Sequence, residues 1–246
     1  MPVATEPLSG VPMWRPVRGG NAFEITVARL AQAIRLGLVP VGQRLPPERE
    51  LAERLQVSRV TLREAIAALR EAGFLESRRG RSGGTFVVRA SGETGAAQAA
   101  DAAVLAREMG DALHDALDFR RVLEPGAAAL AATRALSAPD RAHLVACLAA
   151  ARTRDPMTRR VNDSRLHLAI AAASGSTSVA ASIADVQLRL DRLLAAIPVL
   201  RRNLDHSDAQ HERVVEAILA GDPVVARTEM EEHCDATAAL LRGLLG

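Results

Sequence analysis

A chain of 246 residues with 48% hydrophobic and 24% charged side chains has room for two domains of ordinary size and the balance of a soluble globular protein. Two cysteines, Cys147 and Cys234, exclude a disulfide framework and point to a reducing compartment. The formal net charge of +2 hides an asymmetry: residues 21–90 carry 12 Arg against 7 Glu (+5), whereas residues 91–246 carry 17 Arg against 21 acidic residues (−4). A basic module joined to a module of opposite charge is the electrostatic footprint of a nucleic-acid reader tethered to something else. The opening MPVATEPLSG lacks the basic start and apolar core of a secretion signal, and no apolar run is long enough for a bilayer, so the cytoplasm is the expected location.

In chain order, residues 1–20 are rich in Pro and Gly without periodicity and are expected to be a disordered tail. Asn21 to Leu38 has a helical face of Ile25, Ala28, Leu30, Ala31 and Ile34, suited to packing behind other helices. Leu51, Ala52, Leu55 and Val57, then Leu62, Ile66 and Leu69, form two short helical stripes separated only by QVS, the spacing of a helix-turn-helix. Ser58 is placed to cap the second helix, and Arg59, Thr61 and Arg63 fall in its first turn and a half, where a major-groove helix presents its base-reading side chains. After Gly73, the runs FLES and TFVV bridged by RRGRSGG predict a β-hairpin with a basic tip, in which Arg81, Gly83 and Gly84 would approach the minor groove. Arg44, Arg54 and Arg70 read as solvated surface. Residues 91–104 lack an apolar stripe and are expected to be a linker.

The order and spacing of LPPERELA (45–52), VSRVTLREA (57–65) and GTFV (84–87), with Gly37, Gly42, Leu69 and Gly73, resemble the winged-helix domain of the GntR family of bacterial transcription regulators. The resemblance implies that double-stranded DNA is the partner, that Arg49 at the start of the second helix also touches it, and that the chain is a regulator rather than an enzyme.

Beyond the linker, from residue 105 on, the pattern is helical throughout, over roughly 115–135, 138–152, 157–173, 179–197, 208–220 and 223–245. Ser137 and Asp222, each followed shortly by proline, give clean helix starts. The expected fold is therefore mostly α: an N-terminal winged helix-turn-helix at 21–90, joined to an all-α antiparallel helical bundle at 105–246.

Within that bundle, Asp163 and His167 share a face that continues to Ile170 and Ala171, His211 lies on a stripe with Val214, Val215 and Ile218, and His233 on one with Met230, Leu240 and Leu244. Each histidine taken alone is more simply a hydrogen-bonded core residue. Three imidazoles and a carboxylate aimed into one interior would be costly unless their lone pairs were satisfied, and a divalent transition metal does that. With nitrogen ligands in the majority, Zn or Ni is favoured over Mg or Ca.

The spacings of 4, 44 and 22 residues along Asp163, His167, His211 and His233, and the segments DFRRVLEPGAAALAA, LHLAIAAASGS and HERVVEAILAGDPVVARTEMEEH, resemble the FCD effector domain of the FadR-type subfamily. Leu166 stands where that domain usually has Phe, and Ser176 where it has Asn; neither is a proposed ligand. The resemblance implies a homodimer on a palindromic operator, a bound metal, and a small carboxylate effector gripped by Arg120, for which a surface ion pair with Glu124 is the alternative. The resulting expectation is a repressor controlled by a small organic acid at the metal site. The competing readings are a metal-dependent hydrolase using the Asp/His set and a constitutive DNA-binding protein with a structural metal.

Overall fold

The computed structural model describes residues 21–35, 37–80, 83–88, 110–153 and 155–245. The expected tail at 1–20, the expected linker at 91–104, and Arg81 lie outside the described residues. The chain divides into two compact units, Met1–Ser91 and Gly92–Gly246.

In the first unit, α1 (Ala22–Arg35) buries Phe23, Val27, Leu30, Ala31 and Ile34, while Ile25 and Ala28, expected on the core face, are only half buried. The reason is Phe23: with Val27 one turn on, its larger apolar area sets the stripe that packs against α3. Helix α2 (Glu48–Leu55) buries Leu51, Ala52 and Leu55 and ends at Gln56, whose left-handed φ of 53° turns the chain sharply. Helix α3 (Arg59–Glu71) starts at Ser58, whose hydroxyl accepts from the Thr61 N–H at 2.9 Å. It buries Leu62, Ala65, Ile66, Ala68 and Leu69.

Strands β1 (Leu75–Arg78) and β2 (Gly84–Val87) pair antiparallel, with Leu75 opposite Val87 and Arg78 opposite Gly84. Both are displaced by one residue from the expected FLES and TFVV. Phe74 is taken by the end of α3, where its N–H donates to the Leu69 carbonyl at 2.9 Å after Gly73 at φ 78°, so the strand begins one residue later. The segment before α2 joins the hairpin edge through Leu45 N–H to Thr85 O at 2.8 Å and Val87 N–H to Gln43 O at 3.0 Å.

The second unit is helical among the described residues: α4 (Gly110–Ala132), α5 (Ala138–Ala151), α6 (Pro156–Ala173), α7 (Thr177–Ala195), α8 (Arg201–Ala220) and α9 (Pro223–Leu244). Side-chain caps open four of them: Ser137, in a reciprocal box with Asp140, then Asp155, Ser176 and Asp222. Helix α8 begins seven residues before the expected Asp208. Its first turn, RRNL, is polar except for Leu204, and its N-cap Leu200 makes no side-chain bond, so both local start signals are missing. Helix α4 packs against α6, α7, α8 and α9, and α5 packs against α6 and α8. The main core joins Ala128, Leu144, Leu166, Ile170, Val214 and Met230, where alanines allow close approach and Leu166 is fully buried. Among the described residues, no helix is long and apolar enough to cross a membrane.

Candidate functional sites

The first site is the exposed start of α3. Arg59 and Arg63 project to solvent, and Thr61, half buried, holds its Oγ1 2.8 Å from the Ser58 hydroxyl. Thr61 thus completes the cap that orients the helix start, and its hydroxyl is partly committed. Arg63 Nε donates to Glu48 Oε2 at 3.1 Å, and Arg49 Nε stands 3.9 Å from Glu53 Oε1. Both are exposed pairs of the kind that contribute little to stability and exchange readily for another anion. Val60, between Arg59 and Thr61, is 63% exposed. An apolar side chain left in water at the head of such a helix suits a thymine methyl, a signal present in the sequence but overlooked beside the charged residues.

In the wing, a Cβ on Gly83 would fall 2.5 Å from the Arg78 carbonyl and 2.8 Å from that of Gly80, so the tip closes only with glycine there. Gly84 follows at φ 153° and opens β2. Arg44, expected as plain surface, donates from Nη1 to the Gly83 carbonyl at 3.1 Å and braces the tip. Arg70 reaches Ser77 Oγ at 3.4 Å, and Arg54 pairs with Glu50.

The second site lies inside the bundle. His167 on α6, His211 on α8 and His233 on α9 are 1%, 1% and 3% exposed, and one ring nitrogen from each lies within 4.8 Å of the others. His211 Nε2 is 3.3 Å from His233 Nε2. The Asp163 carboxylate, 27% exposed, stands at the edge, with Oδ1 3.7 Å from His211 Nε2 and Oδ2 3.9 Å from His167 Nε2. The Nε2 atoms of His211 and His233 therefore face each other and those of His167 and His211 face Asp163, while Nδ1 of His167 lies 2.9 Å from Glu124 Oε2 and Nδ1 of His233 lies 3.3 Å from Gln210 Oε1.

Burial pushes the His211 imidazole down to about 4 and that of His233 well below its usual range, so both are neutral near pH 7 and offer lone pairs. Both ring nitrogens of His167 and Nδ1 of His211 are buried without an aligned hydrogen bond, the Glu124 carboxylate standing close to His167 Nδ1. Buried, neutral, incompletely satisfied imidazoles turned toward a carboxylate fit a divalent transition ion, and Glu124 and Gln210 occupy the outer positions that orient ligating rings.

Glu124 on α4 is the hub behind this cluster. Its carboxylate accepts from Gln187 Nε2 at 2.6 Å, lies 3.1 Å from Arg120 Nε and touches the Cys234 thiol at 3.7 Å. Burial alone would raise its pKa, but Arg120 and His167 outweigh burial and hold the carboxyl well below the usual carboxylate range. Arg120 is buried, not a surface residue; its Nε and Nη1 make no aligned hydrogen bond, and it lines a cavity of about 90 Å³ together with Asp163 and His233. Arg120 thus pairs with Glu124 in the interior, where a surface pair was expected, because α6, α7 and α9 pack against α4, and it also lines the cavity. The outer partners Gln187 and Gln210 had no sequence signal, since glutamine on a helix is ordinary surface composition. His114 and His143 are exposed.

A three-helix reader with a β-hairpin wing, carried on the same chain as a helical bundle that encloses a cavity, defines a DNA-binding transcriptional regulator. Residues 24–87 match the family model of bacterial regulatory proteins of the gntR family and residues 115–236 match the FCD domain, and the chain belongs to the GntR family, with an FCD effector domain. It is 36% identical over 218 residues to a Mycobacterium gastri protein provisionally named HTH-type transcriptional regulator RmpR, covering 84% of this chain and 75% of that one. It is 35% identical over 202 residues to an Escherichia coli protein provisionally named L-lactate dehydrogenase operon regulatory protein, covering 78% and 75%. A solved GntR structure from Streptococcus agalactiae is 26% identical, covering 88% of this chain and 98% of that chain at a TM-score of 0.46. Members of this family are transcriptional regulators, not enzymes.

Proposed function

We propose that this regulator is a repressor that binds a palindromic operator as a homodimer, and that a small organic acid captured at a metal site in the bundle releases it. Asp163, His167, His211 and His233 would hold the metal, with Zn or Ni favoured by the nitrogen-rich donor set. Bound there, such an ion supplies Lewis acidity toward an anionic oxygen. The chain's own residues do the rest: Arg120 offers buried N–H groups to the acid's carboxylate, and Glu124 keeps that guanidinium charged and in place. At the other end, Arg49, Ser58, Arg59, Thr61 and Arg63, with the wing tip at Arg81, Gly83 and Gly84, would contact DNA. The acid acts by favouring one of two packings of the bundle over the other.

The observation that carries this reading is the convergence of three buried imidazoles beside the Asp163 carboxylate, with Asp163, His233 and the incompletely paired Arg120 lining one cavity. The name of the Escherichia coli relative, which refers to the operon of an enzyme acting on a small carboxylic acid, supports it. The test is fluorescence anisotropy on an operator isolated by selection from random duplexes, with Zn²⁺-loaded and chelator-treated protein. A panel of acetate, L-lactate, succinate and hexanoate should contain at least one acid that weakens binding tenfold or more in the loaded protein and leaves the chelated protein unchanged. If no acid changes operator affinity at millimolar concentration, the reading fails.

A further inference from the structure

We propose that the first turns of α8, residues 201–209, are a movable cover over the bundle cavity, closed by a latch between Arg159 of α6 and Asp208. This goes beyond the effector reading above, because it concerns entry to the cavity and not what the cavity holds. One face of the segment is cavity wall: Asn203, Leu204 and Ser207 line it, as does the helix's N-cap, Leu200. The opposite face, at Arg201, Arg202 and Asp205, is exposed. Taken alone the segment is weakly built. Every residue over 201–209 is at least partly exposed, whereas α8 further on buries Gln210, His211, Val214, Val215, Ala217 and Ile218. Leu200 makes no side-chain cap, and the first turn has no acidic residue but sets Arg201 and Arg202 at the positive end of the helix dipole. A helix end without a cap or a buried anchor opens more readily than the core it leads into.

Arg159 supplies the anchor from outside the segment. Its side chain is 13% exposed and lines the same cavity. Nη2 lies 2.6 Å from Asp208 Oδ1 and donates to the Leu204 carbonyl at 2.8 Å, while Nη1 donates to the Thr153 carbonyl, in the turn between α5 and α6, at 3.4 Å. One guanidinium thus ties the start of α8 to two other parts of the bundle. Its bonds are charge-assisted and partly shielded from water, so they hold more firmly than an exposed pair. The pair from Arg152 to Glu212, one turn further along α8, is exposed on both sides and serves as the contrast. Loss of the Arg159 contacts releases the stretch that has no other firm hold, and that stretch is cavity wall.

Hydrogen exchange of the full chain without added ligand, read by mass spectrometry, tests this independently of any effector. In the parent, the amides of 204–209 should be protected at least about tenfold less than those of 211–219. Arg159→Met and Asp208→Asn should each speed exchange of 204–209 by about tenfold or more and leave 211–219 and α9 unchanged, while Arg152→Met changes neither. Asp208→Asn keeps the test readable should Arg159→Met fail to fold. Access is read separately: a thiol introduced on the cavity wall of α9 by Thr237→Cys, with Cys147→Ala to remove the partly exposed thiol, should react with iodoacetamide faster once Asp208→Asn is added. Equal protection of the two parts of α8, unchanged exchange in both latch variants, or a rise spread evenly over α5, α6 and α9 overturns the proposal. So does a thiol that reacts no faster when the latch is broken, since the segment would then fray without opening the cavity.

Discussion

Glu124 has four neighbours for two oxygens: Arg120, His167, Gln187 and Cys234. Held against the Nδ1 side of His167, it favours the tautomer with a proton there and leaves Nε2 free for a metal. Glu124→Gln should therefore weaken Zn²⁺ binding by about 10- to 100-fold in a chelator-competition titration. Glu124→Asp keeps the charge for Arg120 but shortens the reach to His167, so it should stay folded and still lose affinity; parent-like affinity in both variants would contradict the role. His211 makes a second prediction, for metal-free protein. Its folded value of about 4 lies below the 6.5 of an unfolded chain. As pH falls from 6.5 toward 4, the unfolded chain takes up a proton that the folded one refuses, so stability declines, and above 6.5 the contribution is constant. The total is on the order of 3 kcal/mol. Urea unfolding across that window should show the decline in the parent and lose that part of it in His211→Gln. A parent that becomes more stable relative to the variant as pH falls would contradict the assignment.

At the scale of elements, α3 is where local sequence and function meet. Ser58→Ala removes the acceptor for the Thr61 N–H and should cost about 1 kcal/mol of stability, read as a lower denaturation midpoint. Arg63→Ala should cost roughly 1–3 kcal/mol of operator binding if Arg63 makes a bidentate base contact. A uniform loss on operator and random duplex would make it a phosphate contact instead, and an unchanged affinity at fixed salt would remove it from the interface. This element was legible because its signals are local: a capping serine, an apolar stripe and a tight QVS link. The histidine stripes were legible for the same reason, since i, i+4 spacing fixes which residues share a face. What was not legible depends on tertiary contact. The Arg120–Glu124 pair is a surface pair by spacing and a buried one only because α6, α7 and α9 close over α4. Gln187 and Gln210 gain meaning only from the groups they meet. The early start of α8 lacks any cap, and the face of α1 turns on Phe23.

At the scale of the whole molecule, the two compact units divide the labour that charge asymmetry suggested, a basic reader and a bundle with an acidic balance. A metal that binds the folded bundle and not the unfolded chain stabilises by mass action, about 2.7 kcal/mol at a hundredfold excess over its dissociation constant. A chelator should thus lower the melting temperature of the parent and have no further effect on His211→Ala, while basal DNA binding by that variant persists. The central claim, that the bundle is organised around a bound transition metal, is tested most directly by elemental analysis of full-length protein purified without an affinity tag and then incubated with Zn²⁺ or Ni²⁺. We expect close to one equivalent per chain, whereas less than about one-tenth equivalent, with no uptake of either ion, would leave Asp163, His167, His211 and His233 as a polar core and contradict the claim.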